Sequence, residues 1–405
     1  MPTTLILADQ VYDGTLNAPV KNAGVVVGDD GKIAETGPAA TLKGNHQQTV
    51  TVQGTLMPGL VDAHTHVVLA AGVDPGRTVL SESRTRTVTR ALKHLAQHLA
   101  AGVTTIRDLG GSDGIDLDLM RAQQDGFVPG PRMLAAGTVI CMTGGHACFL
   151  GHESDGTDEV VKSVRLNIKH GAMVTKLIAT GGVITPGVEP GSVQLGEDEL
   201  RAAVVESIHA GRRVAAHAQG TEGIMNALNA GVHSIEHGFW LDDICVQKMK
   251  ERGVYLVATF AAAHGMLDNL DRLPAFIRTK MEKVADAHDR SFRMALKAGV
   301  PVACGTDAGT PFNFHGGISR EIALHVHHGA STLQALHAAT GAAAHLLGRE
   351  DVGVIRRGAL ADLTALVGNP LDDLRAFNTV SHVWQSGRSV NLPQVRNVAE
   401  LLAGA

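Results

Sequence analysis

Six polar residues stand out because each falls at or near the end of a short apolar run. His64-Thr65-His66 closes the run 60–64, Lys176 sits inside 174–178, and His217 ends 213–217. His237 ends 233–237, and Thr306-Asp307 follows 300–304. Imidazole, carboxylate and amine groups are the types that ligate cations and carry protons. In an extended strand, residues two apart face the same way, so His64 and His66 are predicted to point together. Taken singly, each has an ordinary explanation: a strand-end histidine is usually a satisfied core or surface residue, and an aspartate after Gly-Thr is usually a turn or a helix cap. Lys176 is harder to dismiss, because an unpaired buried ammonium is costly. Six such residues gathered at one end of a fold are not explained by chance.

Gathering them requires parallel strands. Eight short apolar runs, 60–64, 103–107, 132–136, 174–178, 213–217, 233–237, 254–258 and 300–304, alternate with helical patterns such as 83–101, 158–170, 197–210 and 277–298. Gly102, Gly171, Gly211 and Gly299 follow those patterns, where C-terminal caps belong. Eight strand–helix units predict an α/β protein, a (β/α)8 TIM barrel, whose active site lies at the C-terminal ends of the strands. His64, His66, Lys176, His217, His237 and Asp307 then converge on one rim. The two ends of the chain read differently. Short strands flank the turn Asp29-Asp30-Gly31, a hairpin signal, and a similar pattern surrounds Gly387. Neither end can bury a core alone. Residues 1–56 and 357–405 are therefore predicted to pair into one small β-sandwich beside a catalytic domain of residues 57–356.

Composition narrows the field. The 405 residues carry a formal net charge of -5 with acidic and basic residues mixed, which excludes a nucleic-acid footprint. The start of the sequence has no basic, apolar signal-peptide pattern, and no apolar run reaches the roughly 18 residues of a membrane span. Four scattered cysteines fit a reducing compartment, so a cytoplasmic location is expected. With 21 histidines in the chain, most must be structural, and any histidine hypothesis needs positional support.

Pro58-Gly59-Leu60-Val61-Asp62-Ala63-His64-Thr65-His66 resembles the opening signature of the amidohydrolase superfamily. Lys176, His217, Ser234-Ile235-Glu236-His237-Gly238 and Gly305-Thr306-Asp307 follow in that superfamily's order. Thr143-Gly144-Gly145-His146 and His217-Ala218 resemble the branch that holds imidazolonepropionase-like hydrolases, prolidases, dipeptide carboxypeptidases and ochratoxinase. The resemblance covers essentially the whole chain. It implies that His64, His66 and Asp307 hold one divalent metal ion and His217 and His237 a second. Zinc suits such nitrogen and oxygen donors, with manganese, iron or cobalt as alternatives. Lys176 would bridge the two ions as a carbamate formed with carbon dioxide, which also removes its buried positive charge. A hydroxide held between the ions would attack an amide carbonyl polarised by one of them. Asp307 would take the proton and pass it to the departing amine, and His146 would donate to the oxyanion or to a substrate carboxylate. Gln219 stands where some peptidases of the branch carry a tyrosine, so their mode of carbonyl polarisation does not transfer directly. The implied substrate is a small molecule, a dipeptide or an N-acyl amino acid, and the implied assembly is a homo-oligomer.

Other residues carry weaker signals. Arg320, after the eighth run, could clamp a substrate carboxylate, or could equally be a surface residue. His94 and His98 have helical i, i+4 spacing but no third ligand, and are expected on a helix surface. His325, His327 and His328 are expected to be solvated or intersubunit. Thr180-Gly181-Gly182 lacks a phosphate-loop pattern, and close packing near the site accounts for it. A one-metal deaminase or imidazolonepropionase-type hydrolase would share His64, His66, His217 and Asp307 without needing Lys176. A non-catalytic scaffold of the same fold should have lost ligands, and none is missing.

Overall fold

The computed structural model describes residues 3–42 and 44–401. Four strands come first: β1 (Thr4–Val11), β2 (Val20–Val27), β3 (Ile33–Pro38) and β4 (Gln48–Pro58). β2 and β3 form the hairpin expected around Gly31, whose φ of +75° is the left-handed turn conformation that glycine adopts without strain.

Nine strands follow: β5 (Leu60–Thr65), β6 (Val103–Asp108), β7 (Arg132–Ala135), β8 (Val139–Cys141), β9 (Gly151–Glu153), β10 (Val174–Ile178), β11 (Arg213–Ala218), β12 (Ser234–His237) and β13 (Tyr255–Val257). All pair in parallel, in the orders β5-β6-β7 and β13-β12-β11-β10-β8-β9. Backbone hydrogen bonds outside the strand ladders join the two groups. On one side Met173 N donates to Ala135 O at 2.9 Å. On the other, the segment 301–308 bonds both to β13, through Leu256 N to Pro301 O at 2.9 Å, and to β5, through Ala63 N to Cys304 O at 2.9 Å.

This segment is the predicted eighth strand, and it differs from the prediction. It makes isolated bridges rather than a ladder. Pro301 has no N–H to donate, and the Cys304 N–H goes to Ala338 O instead of to a neighbouring strand. Helices Arg84–Ala100, Thr157–Lys169, Glu197–His209 and Ala275–Ala298 match their predicted spans to within two residues. The four glycines beyond them all have φ between 68° and 93°.

β5 and β6 are buried along their whole length, so their polar residues are sealed from water. Gly59, between β4 and β5, lies against Thr104, where an added Cβ would sit 2.1 Å from the hydroxyl. The chain ends with β14 (Leu363–Leu366), β15 (Val380–Gln385) and β16 (Arg388–Ser389). β14 pairs with β4, so the two chain ends meet in one seven-stranded sheet of order β16-β15-β14-β4-β1-β2-β3.

Two histidine expectations are corrected. His94 and His98 are not on a helix surface: both are buried, on the face of Arg84–Ala100 that carries Ala91, Leu95 and Leu99. His325 and His328 are buried too, with His325 Nε2 on Glu321 and His328 stacked on Phe260 at 4.0 Å. His327 alone of the three is exposed.

Candidate metal centre

The six rim residues come together. His64, His66 and Asp307 each offer a ligand atom, and these atoms lie within 4.8 Å of one another. His64 Nε2 stands 3.5 Å and His66 Nε2 3.4 Å from Asp307 Oδ1, and Lys176 Nζ is 3.4 Å from His64 Nε2. The ring of His237 lies 5.3 Å from that of His64 and 4.6 Å from that of His217. All six residues are buried.

Strand geometry supplies most of this. β5 presents His64, β10 Lys176 and β11 His217, with Lys176 paired to Ala215, two residues before His217, and His217 paired to Glu236. Two of the six residues need a break in the strand. His237 has φ +71° and Asp307 φ +56°, and Thr259, beside His237, has φ +57°. Non-glycine residues rarely occupy this region, and such strain collects at functional sites. The break at His237 explains how neighbours Glu236 and His237 both reach the interior, where strict alternation would send one outward.

Each imidazole has one nitrogen tied to the protein. His64 Nδ1 bonds Glu236 Oε2 at 2.8 Å, His66 Nδ1 bonds Gly110 O at 3.0 Å, and His217 Nε2 bonds Gly181 O at 3.1 Å. His237 Nδ1 meets Thr259 Oγ1 at 2.7 Å, and that hydroxyl donates to Ala258 O, so the imidazole must be the donor. For His64, His217 and His237 these bonds place the ring proton on the outward nitrogen and leave a lone pair on the inward one, while the inward Nε2 of His66 faces Asp307 Oδ1. Metal-ligating histidines are oriented in this way.

Electrostatics agree. Burial drives His64, His217 and His237 well below the ordinary imidazole pKa, which keeps them neutral. For His66 burial also acts downward, but the hydrogen bond and charge of Asp307 outweigh it and raise the value. Burial lowers Lys176 to about 8. Three imidazoles kept neutral by burial, a fourth paired with the carboxylate of Asp307, and an amine of reduced basicity fit a site for divalent cations.

His146 and Gln219 lie in the same cavity. It is also lined by Val183, Ile184, Phe239 and Met266. The His146 ring is 4.3 Å from that of His217, its Nδ1 bonds Thr185 Oγ1 at 2.9 Å, and burial lowers its pKa to about 3. A Cβ on Gly182 would fall 2.4 Å from this ring, so the Gly181-Gly182 stretch serves close packing. Gln219 is buried with its Oε1 unpartnered. Arg320 is not brought to the site. It lies in the first turn of Ile318–His327 and pairs with Asp268 at 2.5 Å.

Sequence reasoning assigned no role to Arg107 or Glu236. Both are fully buried behind His64. In the sequence Glu236 stands only as part of the Ser234-Ile235-Glu236-His237-Gly238 motif, and its adjacency to His237 conceals that it too faces inward.

Residues 55–390 match the model of the amidohydrolase family. The chain is 31% identical to ochratoxinase of Aspergillus niger, over 97% of this chain and 87% of that protein. The crystal structure of that ochratoxinase superposes with a TM-score of 0.88, covering 96% of this chain and 95% of the other. A Xaa-Pro dipeptidase with methionine bound in its active site, 30% identical, superposes with a TM-score of 0.89 over 96% of this chain and 99% of the other. An imidazolonepropionase of Cutibacterium acnes is 27% identical, over 93% of this chain and 92% of that protein.

Proposed function

The chain belongs to the amidohydrolase family and is a hydrolase of C–N bonds, and from that premise we propose that it is a binuclear amidohydrolase cleaving a dipeptide or an N-acyl amino acid. The observation that carries this reading is the gathering of four buried imidazoles, each with one nitrogen tied to the protein, around Lys176 and Asp307. In this reading residues 57–356 form a closed (β/α)8 barrel, and 1–56 with 357–405 form a β-sandwich beside it.

His64, His66 and Asp307 would hold one ion, and His217 and His237 the other, with Lys176 shared between them as a carbamate. When bound, two zinc ions would polarise the scissile carbonyl and acidify water. The protein's own groups do the rest. Asp307 is the one carboxylate among the six, and accepts a proton for delivery to the departing amine. His146, neutral and close to His217, and Gln219, with a free carbonyl oxygen and an amide donor, orient the substrate. Val183, Ile184, Phe239 and Met266 favour an apolar side chain next to the scissile bond. The cavity over the cluster is about 40 Å³, room for one or two waters. No lysine or arginine lines this cavity, so carboxylate recognition falls to His146, Gln219 or the metal ions rather than to Arg320.

The test is metal analysis of protein prepared with bicarbonate, together with a screen of dipeptides and N-acyl amino acids. About two ions per chain and turnover of such amides are expected. The compact His64–His66–Asp307 group supports a competing reading, a one-metal cyclic-amide hydrolase or deaminase. One ion per chain, with activity confined to aminated heterocycles, would establish that alternative.

A further inference from the structure

Behind His64 a chain of hydrogen bonds crosses the interior from β12 to β6. Glu236 Oε2 meets His64 Nδ1 at 2.8 Å, and Glu236 Oε1 receives Arg107 Nη2 at 2.9 Å. Arg107 Nη1 donates to Ser234 Oγ at 3.1 Å, and the Ser234 hydroxyl donates to the same Glu236 Oε1. Arg107 Nε holds Ala63 O, one residue before His64, at 2.5 Å. All four side chains are at most 1% exposed.

We propose that Arg107, Ser234 and Glu236 form a brace that fixes the tautomer of His64 and so turns its Nε2 lone pair toward the metal centre. The proposal rests on the reading of His64 as a metal ligand. The logic is one of donors and acceptors. A guanidinium only donates. Ser234 Oγ accepts from Arg107, so its own proton is directed to Glu236 Oε1. That oxygen is filled by two donors, and Oε2 is left to accept from His64. Only a proton on Nδ1 satisfies Oε2, which leaves Nε2 unprotonated beside Asp307 and Lys176. Arg107 and Glu236 are thus positioning residues that act through His64.

Glu236→Gln inverts this logic. Two donors still demand an acceptor at the Oε1 position, so the side-chain amide N–H₂ must face His64. It donates to Nδ1, and the ring proton moves to Nε2, where it blocks ligation. Arg107→Met combined with Glu236→Gln removes the donor to Ser234. Ser234 Oγ can then accept from the amide, the carbonyl oxygen turns to His64, and the original tautomer returns. The double variant also avoids leaving a lone buried charge, which can unfold a single variant.

The experiment is ring-nitrogen NMR of the full-length, metal-free chain, followed by titration with zinc in bicarbonate buffer. Wild type should give Nδ1–H at His64. Glu236→Gln should give Nε2–H and bind zinc about 10–100-fold more weakly. The double variant should regain Nδ1–H and at least tenfold of that affinity. Wild-type ring signals and affinity in Glu236→Gln would overturn the proposal, as would a double variant with Nδ1–H but no recovery. Should wild-type zinc leave the His64 signals unmoved, the metal reading fails, while the metal-free spectra still decide the brace.

Discussion

Two buried histidine groups lie within a few residues of each other in this fold, and only one has the makings of a metal site. In the rim cluster each ring spends one nitrogen on the protein and turns the other into a shared space. In the group formed by His94, His98 and His315 nitrogens are used on one another and on the backbone, while His98 Nδ1 makes no hydrogen bond and lies 4.0 Å from Asp62 Oδ2. His94 Nδ1 bonds Val67 O at 2.8 Å, His315 Nε2 bonds Leu69 O at 3.1 Å, and His315 Nδ1 meets His98 Nε2 at 3.1 Å. The rings of His94 and His315 stack at 3.8 Å. Burial is common to both groups, and so is lowered basicity apart from His66. Neither property distinguishes them. What does is whether two rings share one carboxylate oxygen with an amine beside them, as His64 and His66 share Asp307 Oδ1 next to Lys176.

The largest effect expected from this contrast is at Asp307. Asp307→Asn should lower kcat by about 10³-fold while part of the metal remains bound, because a proton acceptor is lost and an oxygen ligand is kept. Steady-state kinetics with metal analysis on the same sample checks it. Near-normal turnover would remove Asp307 from the proton path.

The next effect belongs to the other group and should appear in stability alone. His315→Ala strands Leu69 O and opens a void beside His94. The expected cost is about 2–4 kcal/mol in urea denaturation, with metal content and kcat of the folded fraction unchanged. Loss of metal from this variant would mean that the two groups are not separable. Chelation should do the reverse. It should abolish activity and, for metal held at 100 times its Kd, lower wild-type stability by about 2.7 kcal/mol. In a protein lacking His64 and His66 the chelator should cause a smaller shift, and an equal shift would place the metal elsewhere.

The contrast was only partly legible in the sequence. The gathering of the six rim residues was, because strand ends and period-two spacing fix direction, and because glycine marks the helix stops. The stack was misread. His94 and His98 have a metal-like i, i+4 spacing, yet they follow the same three-and-four rhythm as Ala91, Leu95 and Leu99, the buried face of that helix. That rhythm was the available signal. Arg107 and Glu236 were harder to find. A cation at the end of an apolar strand looks like an exit to solvent, and the positive φ that lets Glu236 and His237 both point inward has no mark in the sequence. The segment 300–304 has the composition of a strand, but Pro301 and the turn of Cys304 toward Ala338 deny it a ladder.

The smallest expected effect is a pH dependence confined to the stack. Burial lowers His94 to about 3 and His98 to about 4, against 6.5 for a free imidazole. Between about pH 6.5 and pH 4 the unfolded chain binds a proton at each position that the folded protein excludes. Stability must therefore fall as the pH falls, by about 1.4 kcal/mol per unit for each histidine. His94→Gln keeps a donor for Val67 O but cannot titrate. Urea midpoints near pH 7 and pH 5.5, measured with chelator so that metal release does not intrude, should show the variant losing about 1 kcal/mol less than wild type over that interval. Equal losses would mean that His94 is protonated in the folded state. The stack would then be a buried charge with a role of its own, rather than the neutral scaffold that the rim cluster leans on.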